Sequence, residues 1–261
     1  MEIDNGRLHY QQFGSGTPLL LIAGLGGVGG FWRSQVDCLA QHFCVVTHDL
    51  RGAGGSETSS ADSSIRLMAD DTLRLMDHLG LERAALVGHS TGGVIAQTIA
   101  AFSPERVSSL VLSSSWAKGD AYFNNLFRLR LDMLHTAGVE AYERFGRIVR
   151  YPPWYFERHP EALDVAGSSE SGSVDVIAGR IEALLGFDSS NFLDRIVART
   201  LIIGARDDAI TPAYLWKPLH DGIEGSVLVE LDTGGHFCPQ TQAETYNMRL
   251  IEFLLAARDR A

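Results

Sequence analysis

The chain has 261 residues, of which 45% are hydrophobic and 21% charged, a balance that excludes a disordered chain, a collagen-like fibre and a coiled coil. Its 22 basic and 32 acidic residues give a net charge of −10 without a long basic run, so neither nucleic acid nor a membrane surface is an expected partner. The apolar runs are too short to cross a bilayer, and the first residues carry no signal-peptide pattern. The three cysteines, Cys38, Cys44 and Cys238, form no CxxC pair, which argues against a disulfide framework or zinc ribbon and favours a cytoplasmic location.

Short strand-like runs alternate with helical patterns along the chain. Residues 8–13 alternate in polarity and predict an antiparallel strand that turns at Gly14–Gly16. The six runs that follow are almost continuously apolar, as is typical of strands buried on both faces of a parallel sheet. These runs are Pro18–Ala23, Phe43–Thr47, Ala84–Val87, Val107–Leu112, Thr200–Ile203 and Val227–Leu231.

Two helical segments between these runs are clear. Ile65–Leu79 has apolar residues at helical spacing and is followed by Gly80, a common residue just beyond a helix. Thr91–Phe102 is apolar almost all round, as expected for a helix buried behind a sheet. The alternation predicts an α/β fold with a mostly parallel, doubly wound sheet.

One long stretch lacks a buried strand, from about Trp116 to Asp194. It contains helical patterns, for example Phe123–His135 and Val139–Val149, an interruption at Tyr151–Tyr155, and a Gly/Ser-rich break over Ala166–Ser173 that predicts a loop. We therefore predict a core made of residues 1–115 and 195–261, with residues 116–194 inserted after a core strand as a helical cap over an active site.

The most informative motif is Gly88-His89-Ser90-Thr91-Gly92, a G-x-S-x-G pattern between a predicted strand and a predicted helix. A sharp turn in this context lifts the central serine clear of the sheet, at a helix N-terminus that favours developing negative charge. The simpler interpretation is a glycine-rich turn with no chemistry. The flanking elements favour Ser90 as a nucleophile.

A serine nucleophile needs a base, and the base needs a group that orients it. His236 follows the last predicted strand and would open onto the same crevice as Ser90, whereas His48 is expected to be structural. The acid comes between serine and histidine in this chain order, where Asp207 and Asp208 follow a strand. We prefer Asp208, four residues before Pro212, with Asp207 as the alternative; either could also be a turn-forming aspartate.

The glycine-rich segment 24–30 follows the first core strand directly. Such a loop brings backbone amides near a reacting group, and the amides of Leu25 and Thr91 would form an oxyanion hole. The segment also matches G-x-G-x-x-G, but no acidic residue is cleanly placed to bind a ribose; Asp49 is the nearest. The oxyanion loop is therefore favoured over a dinucleotide site.

These pieces together resemble the α/β-hydrolases over essentially the whole chain. The matching motifs are the Gly24-Leu25-Gly26-Gly27 loop, Asp49–Ser56, the turn at Ser90, Asp208 with Thr211-Pro212, and Gly235-His236-Phe237. Ala23 stands where many members carry histidine. A closer resemblance, at Ala23–Gly27, Met133–Gly138, Tyr151–Trp154, Phe187-Asp188 and Asp194–Ile196, is to the aminoacrylate (carbamate) hydrolases of pyrimidine breakdown, and enol-lactonases are similar too.

The resemblance implies a serine hydrolase that cleaves a small ester, lactone, amide or carbamate-type bond through a Ser90–His236–Asp208 triad, with no metal and no organic cofactor. Carbon–carbon bond hydrolases, cofactor-free haloperoxidases and a ligand receptor on the same scaffold stay open. The expected partner is a small-molecule substrate, and the oligomeric state is open, a homodimer included. We expect the pocket to be lined by Gly24, Trp32, Trp116, Trp154 and Phe237, and the alternative for the tryptophans is that they only join the cap to the core.

Overall fold

The computed structural model describes residues 1–59, 62–163 and 172–258, and six of its strands match the six predicted apolar runs to within two residues at each end. In chain order the strands are β1 (Glu2–Ile3), β2 (Gly6–Arg7), β3 (Tyr10–Phe13), β4 (Thr17–Ile22), β5 (Phe43–His48), β6 (Glu57–Thr58), β7 (Ala84–His89), β8 (Val107–Ser113), β9 (Arg199–Ala205) and β10 (Val227–Leu231).

Among the described residues, seven strands form the main sheet in the order β10-β9-β8-β7-β4-β5-β3. All neighbours are parallel except β3, which pairs with β5 in the antiparallel direction, as the alternation of residues 8–13 predicts. A small antiparallel sheet, β1-β2-β6, lies apart from it and was not foreseen, because two-residue strands leave no periodic signal.

The helices fill the connections between strands. In chain order they are α1 (Arg33–Leu39), α2 (Ile65–His78), α3 (Thr91–Phe102), α4 (Ala121–Arg150), α5 (Pro153–Arg158), α6 (Val174–Leu185), α7 (Lys217–Gly222), α8 (Cys238–Thr241) and α9 (Ala243–Arg258). Within the described ranges, no helix combines the length and the apolar character needed to cross a membrane.

The sheet is covered on both faces, so its central strands are apolar on both sides. Residues such as Leu20, Leu86 and Leu110 face the core formed with α2 and α3. Their strand neighbours, for example Leu21 and Val87, face a second core formed with α1 and α9. This two-sided burial is the physical reason for the continuous apolar runs in the sequence, and it confirms the predicted doubly wound architecture.

The chain between β8 and β9 forms helices in the part that the structure describes, apart from one isolated bridge between Lys118 and Asp188. Their side chains form an ion pair at 2.8 Å, which joins the two ends of this segment at its base. The patterns Phe123–His135 and Val139–Val149 belong to α4, which bends at Gly138 because that residue has φ 80° and ψ 178°. Residues 166–171 of the predicted Gly/Ser loop lie outside the described residues.

The interruption predicted at Tyr151–Tyr155 is shorter than the sequence suggests. Tyr151 and Pro152 are extended, but Pro153 begins helix α5. Proline is favoured in the first turn of a helix, because its missing N–H has no partner there in any case. Pro153 therefore marks a new helix and not the middle of a break.

His48, at the end of β5, is buried and makes stability depend on pH. Its Nε2 lies 3.5 Å from Thr72 Oγ1, and its Nδ1 has no hydrogen-bond partner. Burial lowers the pKa of His48 to about 4, against 6.5 for an ordinary histidine, although nearby Asp49 acts in the opposite direction. Between these values the unfolded chain binds a proton that the folded chain does not, so stability rises with pH through this window.

We expect His48→Gln to flatten the dependence of the free energy of unfolding on pH between about 6.5 and 4. The wild-type chain should lose up to about 3 kcal/mol more than the variant across this range as the pH falls. Urea unfolding at several pH values measures both slopes, and the exposed His42→Gln provides the control. Equal slopes in wild type and His48→Gln would contradict the assignment.

Candidate active site

Ser90 occupies a sharp turn between strand β7 and helix α3. Its backbone angles, φ 55° and ψ −118°, lie in a region that residues with a side chain seldom adopt. The turn is held because Ser90 donates its amide proton to Ser113 O at 2.8 Å and accepts one from Gly93 N at 2.9 Å. The serine side chain therefore stands at the carboxyl edge of the sheet, where it lines a cavity.

The glycines around Ser90 let three pieces of backbone come together. A Cβ on Gly88 would overlap the carbonyl of Gly92, and a Cβ on Gly92 would overlap the carbonyl of Ile22 at the end of β4. The position that a Cβ on Gly24 would occupy is 3.3 Å from Ser90 Cβ. Glycine is therefore required here by close packing, and the loop after β4 reaches the serine.

His236 and Asp208 form a buried pair beside this turn. Asp208 Oδ2 lies 2.8 Å from His236 Nδ1. The same carboxylate accepts backbone N–H bonds from Ile210 at 2.8 Å and Thr211 at 2.9 Å, and a hydroxyl bond from Thr211 at 2.8 Å. Both side chains are at most 4% exposed. The saturated carboxylate fixes the direction of the imidazole and can stabilise its protonated form.

Asp207, the alternative acid, has a different environment. Its Oδ1 accepts the amide proton of Gly235 at 2.8 Å, and its Oδ2 accepts the hydroxyl of Thr233. These contacts hold the loop that carries His236, but the imidazole itself is paired with Asp208. No hydrogen bond joins the described side chains of Ser90 and His236, whose Nδ1 bonds are to Thr211 and Asp208.

The loop after β4 is organised by one carboxylate. Asp49 Oδ1 accepts the amide proton of Gly29 at 2.7 Å, and its Oδ2 accepts that of Gly55 at 2.9 Å and lies 3.2 Å from His9 Nδ1. Gly27 turns the loop with φ 75°. Because the Asp49 carboxylate is occupied inside the protein, it cannot bind the ribose that a dinucleotide site requires.

Arg180, on α6, connects the inserted helices to the same loop. It is fully buried and donates to the carbonyls of Leu25 at 3.2 Å, Gly26 at 3.4 Å and Arg51 at 2.6 Å. Burial lowers the pKa of Arg180 to about 10, so the guanidinium still carries its charge at neutral pH. A cation from α6 thus anchors the loop that faces Ser90.

These elements surround a cavity of about 510 Å³, which Ser90, His236, Gly24, Leu25 and Phe237 line. Thr91 is buried in the first turn of α3, directly after the serine. Of the residues predicted for the pocket, Gly24 and Phe237 lie in it. No group of three or more His, Cys, Asp or Glu side chains is arranged to hold a metal ion in the described part of the chain.

The prediction that three tryptophans line the pocket is wrong, since none is among the residues that line the cavity in the described chain. Trp32 is buried in the core on the α1 side of the sheet. Trp116 is buried against Phe123, at 4.6 Å between ring centroids. Trp154 donates its indole N–H to Thr233 Oγ1 at 2.9 Å, so it supports the loop that carries His236. All three stabilise contacts between layers, a role that large aromatics fill as readily as ligand binding.

Smaller aromatic rings take the place of the tryptophans. His89 stacks on Phe31 at 4.6 Å and lies 4.9 Å from His236, and Phe237 packs at the edge of Phe31 at 5.0 Å. Burial and the neighbouring His236 hold the pKa of His89 well below its usual range. His89 is therefore a neutral wall of the cavity, with Nδ1 3.1 Å from Ser113 Oγ.

Sequence reasoning missed the charged side of the cavity. Helix α4 contributes Arg130, Glu143, Arg147 and Arg150 to the lining. One signal was available: Phe123, Phe127, Arg130 and Leu134 recur at helical spacing, and all four are buried. An arginine within the apolar stripe of a helix has no reason to be there unless it is paired or faces a polar site.

Comparison with known proteins agrees with this architecture. A sequence model of the α/β hydrolase fold family matches residues 17–166. A protein of Azorhizobium caulinodans, provisionally named carbamate hydrolase RutD, is 35% identical over 94% of both chains, and one of Caulobacter vibrioides with the same name is 34% identical over 96% of both. The crystal structure of an enol-lactonase from Burkholderia xenovorans aligns with TM-score 0.88 and 26% identity over 97% of this chain and 98% of that one. The chain belongs to the α/β-hydrolase family.

Proposed function

We propose that this chain is a serine hydrolase that forms an acyl-enzyme on Ser90 and cleaves a small ester, lactone, amide or carbamate-type bond. The observation that carries the proposal is the buried pair of His236 Nδ1 and Asp208 Oδ2, 2.8 Å apart, in which His236 lines the same cavity as a strained Ser90. A strained serine and a histidine in one cavity, with a buried carboxylate behind the histidine, are the parts that acyl transfer needs.

In the first half of the reaction, Ser90 Oγ attacks the substrate carbonyl while His236 Nε2 accepts the hydroxyl proton. Asp208 holds Nδ1–H in place, so that Nε2 is left free to accept the proton, and stabilises the imidazolium that forms. The amides of Leu25 and Thr91 donate to the oxyanion. Their roles are supported by the close approach of Gly24 to Ser90 and by the position of Thr91 at the start of α3.

In the second half, His236 donates its proton to the leaving group, which departs and leaves the acyl group on Ser90. A water molecule enters, gives a proton to His236 Nε2 and attacks the acyl carbonyl. The tetrahedral intermediate collapses and Ser90 recovers its proton from the imidazolium. The neutral His89 ring beside His236 adds no competing positive charge at this step.

The names of the relatives support an order in which bond types are tested. Several curated relatives that match nine-tenths or more of this chain at 31–35% identity carry the name carbamate hydrolase, and a structural neighbour is an enol-lactonase. We infer that a carbamate-type bond is the first to test and a lactone the second. The fold alone does not distinguish these bonds, because the triad attacks any activated carbonyl.

Replacing Ser90 with alanine should abolish hydrolysis of p-nitrophenyl acetate and of p-nitrophenyl carbamates without changing the fold. Removal of the nucleophile in related triads costs about 10⁴- to 10⁶-fold in turnover. Steady-state rates together with circular dichroism measure both expectations. A fluorophosphonate probe should label the wild-type chain once and Ser90→Ala not at all.

The control for this experiment is the neighbouring Ser115→Ala, which removes a hydroxyl bonded to the Ser90 carbonyl at 3.1 Å and leaves the proposed nucleophile in place. Retention of more than a tenth of wild-type activity in Ser90→Ala would exclude Ser90 as the nucleophile. A wild-type chain limited to about one turnover would favour a receptor over an enzyme.

Asp208→Asn should lower kcat far more than Asp207→Asn, although the two residues are adjacent. Asparagine at 208 would favour the wrong tautomer of His236, an effect of about 10⁴-fold in the best-studied triad. Asparagine at 207 keeps an acceptor for the Gly235 amide, so we expect a loss of at most about tenfold. Rates for both variants with one ester decide the ranking, and the reverse order would make Asp207 the orienting acid.

A further inference from the structure

The cavity carries a charge opposite to that of the chain. The protein has a formal net charge of −10, yet the described residues that line the cavity include four arginines and a single carboxylate. The arginines are Arg33, Arg130, Arg147 and Arg150, and the carboxylate is Glu143. An acidic protein with a positively charged cavity concentrates anions at that one place.

Arg130 is the buried member of this group. It lies on α4 with 3% of its surface exposed, and its Nε has no hydrogen-bond partner. Its guanidinium lies 5.1 Å from the ring centroid of Phe127 and 4.6 Å from that of Tyr142. Within the described chain Arg130 forms no ion pair, and its burial is offset by the two aromatic faces and by the more distant charge of Glu143.

The acid of the cavity is already committed to another arginine. Glu143 Oε2 accepts from Arg150 Nη2 at 2.7 Å, and Arg150 Nε donates to the carbonyl of Gly146 at 2.9 Å. Arg150 and Glu143 therefore neutralise each other. Arg130 lies beside this pair, because its Nη2 and Arg150 Nη2 are both 3.2 Å from the position that a Cβ on Gly146 would occupy.

A buried arginine without an anion is a costly feature that a purely structural role does not explain. Burial lowers the pKa of Arg130 and Arg150 adds to this, while Tyr142 and Glu143 act in the opposite direction without cancelling the shift, in keeping with a cation that has no carboxylate in direct contact. A guanidinium presents a planar edge of N–H groups that fits a carboxylate through two parallel hydrogen bonds. Rings on its faces leave that edge available to a ligand.

We propose that Arg130 binds a carboxylate of the substrate, and hence that the substrate is a small anionic molecule with its carboxylate away from the bond that is cleaved. This inference rests on the proposed function. It is supported by the division of the cavity, in which the sheet edge supplies Ser90 and His236 and helix α4 supplies Arg130. Arg150, whose guanidinium lies 5.3 Å from the Phe237 ring, connects the two sides.

The test compares two esters of similar length, p-nitrophenyl pentanoate and mono-p-nitrophenyl glutarate, which differ in a terminal methyl or carboxylate. We expect the wild-type chain to prefer the carboxylate ester by at least tenfold in kcat/KM. Arg130→Met should remove this preference, because it should lower kcat/KM for the carboxylate ester at least tenfold more than for the neutral ester. Arg130→Lys should recover part of the preference, because it restores the charge but not the fork geometry.

Arg144→Met is the matched control. Arg144 lies on the same helix and is exposed outside the cavity, so its replacement removes the same charge without changing the lining. The preference of this variant should equal that of wild type. Equal kcat/KM for both esters in wild type, or an unchanged preference in Arg130→Met, would overturn the proposal. If Arg130→Met lost kcat/KM equally for both esters and had a lowered melting temperature, Arg130 would be a packing residue, and this result would also overturn the proposal.

A binding measurement separates this inference from the proposed function. We expect glutarate to stabilise Ser90→Ala against thermal unfolding and to have at least tenfold weaker affinity for the double variant Ser90→Ala/Arg130→Met by calorimetry. If no ester is hydrolysed while this difference is found, the proposed function fails and the carboxylate site stands. Equal glutarate affinity in the two chains would overturn the site, whatever the esterase activity.

Discussion

The rest of this structure depends on one strained residue. Ser90 keeps φ 55° and ψ −118° only because the backbone around it is fixed by hydrogen bonds and by glycine contacts that a side chain would prevent. The bond from Ser90 N to Ser113 O binds the turn to β8, and Gly92 packs the first turn of α3 against the end of β4. Strain of this kind persists where the surroundings overdetermine the conformation. The three central strands and α3 provide those surroundings.

The parallel sheet brings the other parts of the site to the same edge. Ser90 follows β7, Asp208 follows β9, and His236 follows β10. Because β7, β8, β9 and β10 are joined by parallel ladders, their carboxyl ends open into one crevice. The two adjacent aspartates have different contacts. Asp208 is paired with the His236 ring, and Asp207 holds the loop that carries His236 through Thr233 and Gly235.

The inserted helices are attached to the site at more than one place. Arg180 of α6 donates to the carbonyls of the loop after β4, and the carbonyl of Arg150 accepts the amide proton of Phe237 at 3.1 Å. Gly235 lies so close to Arg150 and Pro152 that a Cβ there would contact both. The helices therefore do more than cover a finished site, since they hold the loop after β4 and the loop that carries His236. They also bring four arginines into contact with the cavity space or its anchoring loop, namely Arg130, Arg147, Arg150 and Arg180.

Local sequence determined a large part of this protein. Buried strands read as apolar runs because both sheet faces are covered, and the G-x-S-x-G turn is legible because close backbone packing tolerates only glycine at Gly88 and Gly92. The preference for Asp208 over Asp207 agrees with the pairing of His236, although spacing alone could not exclude the neighbour.

Tertiary structure decided which residues line the pocket. A tryptophan looks the same in the sequence whether it packs in a core or contacts a ligand. Only the packing of the folded chain shows that Trp32, Trp116 and Trp154 do not line the cavity. The same holds for Arg130. Its position in the apolar stripe of α4 can be seen in the sequence, but the cavity that it lines and the missing partner of its Nε depend on residues that the fold brings near it.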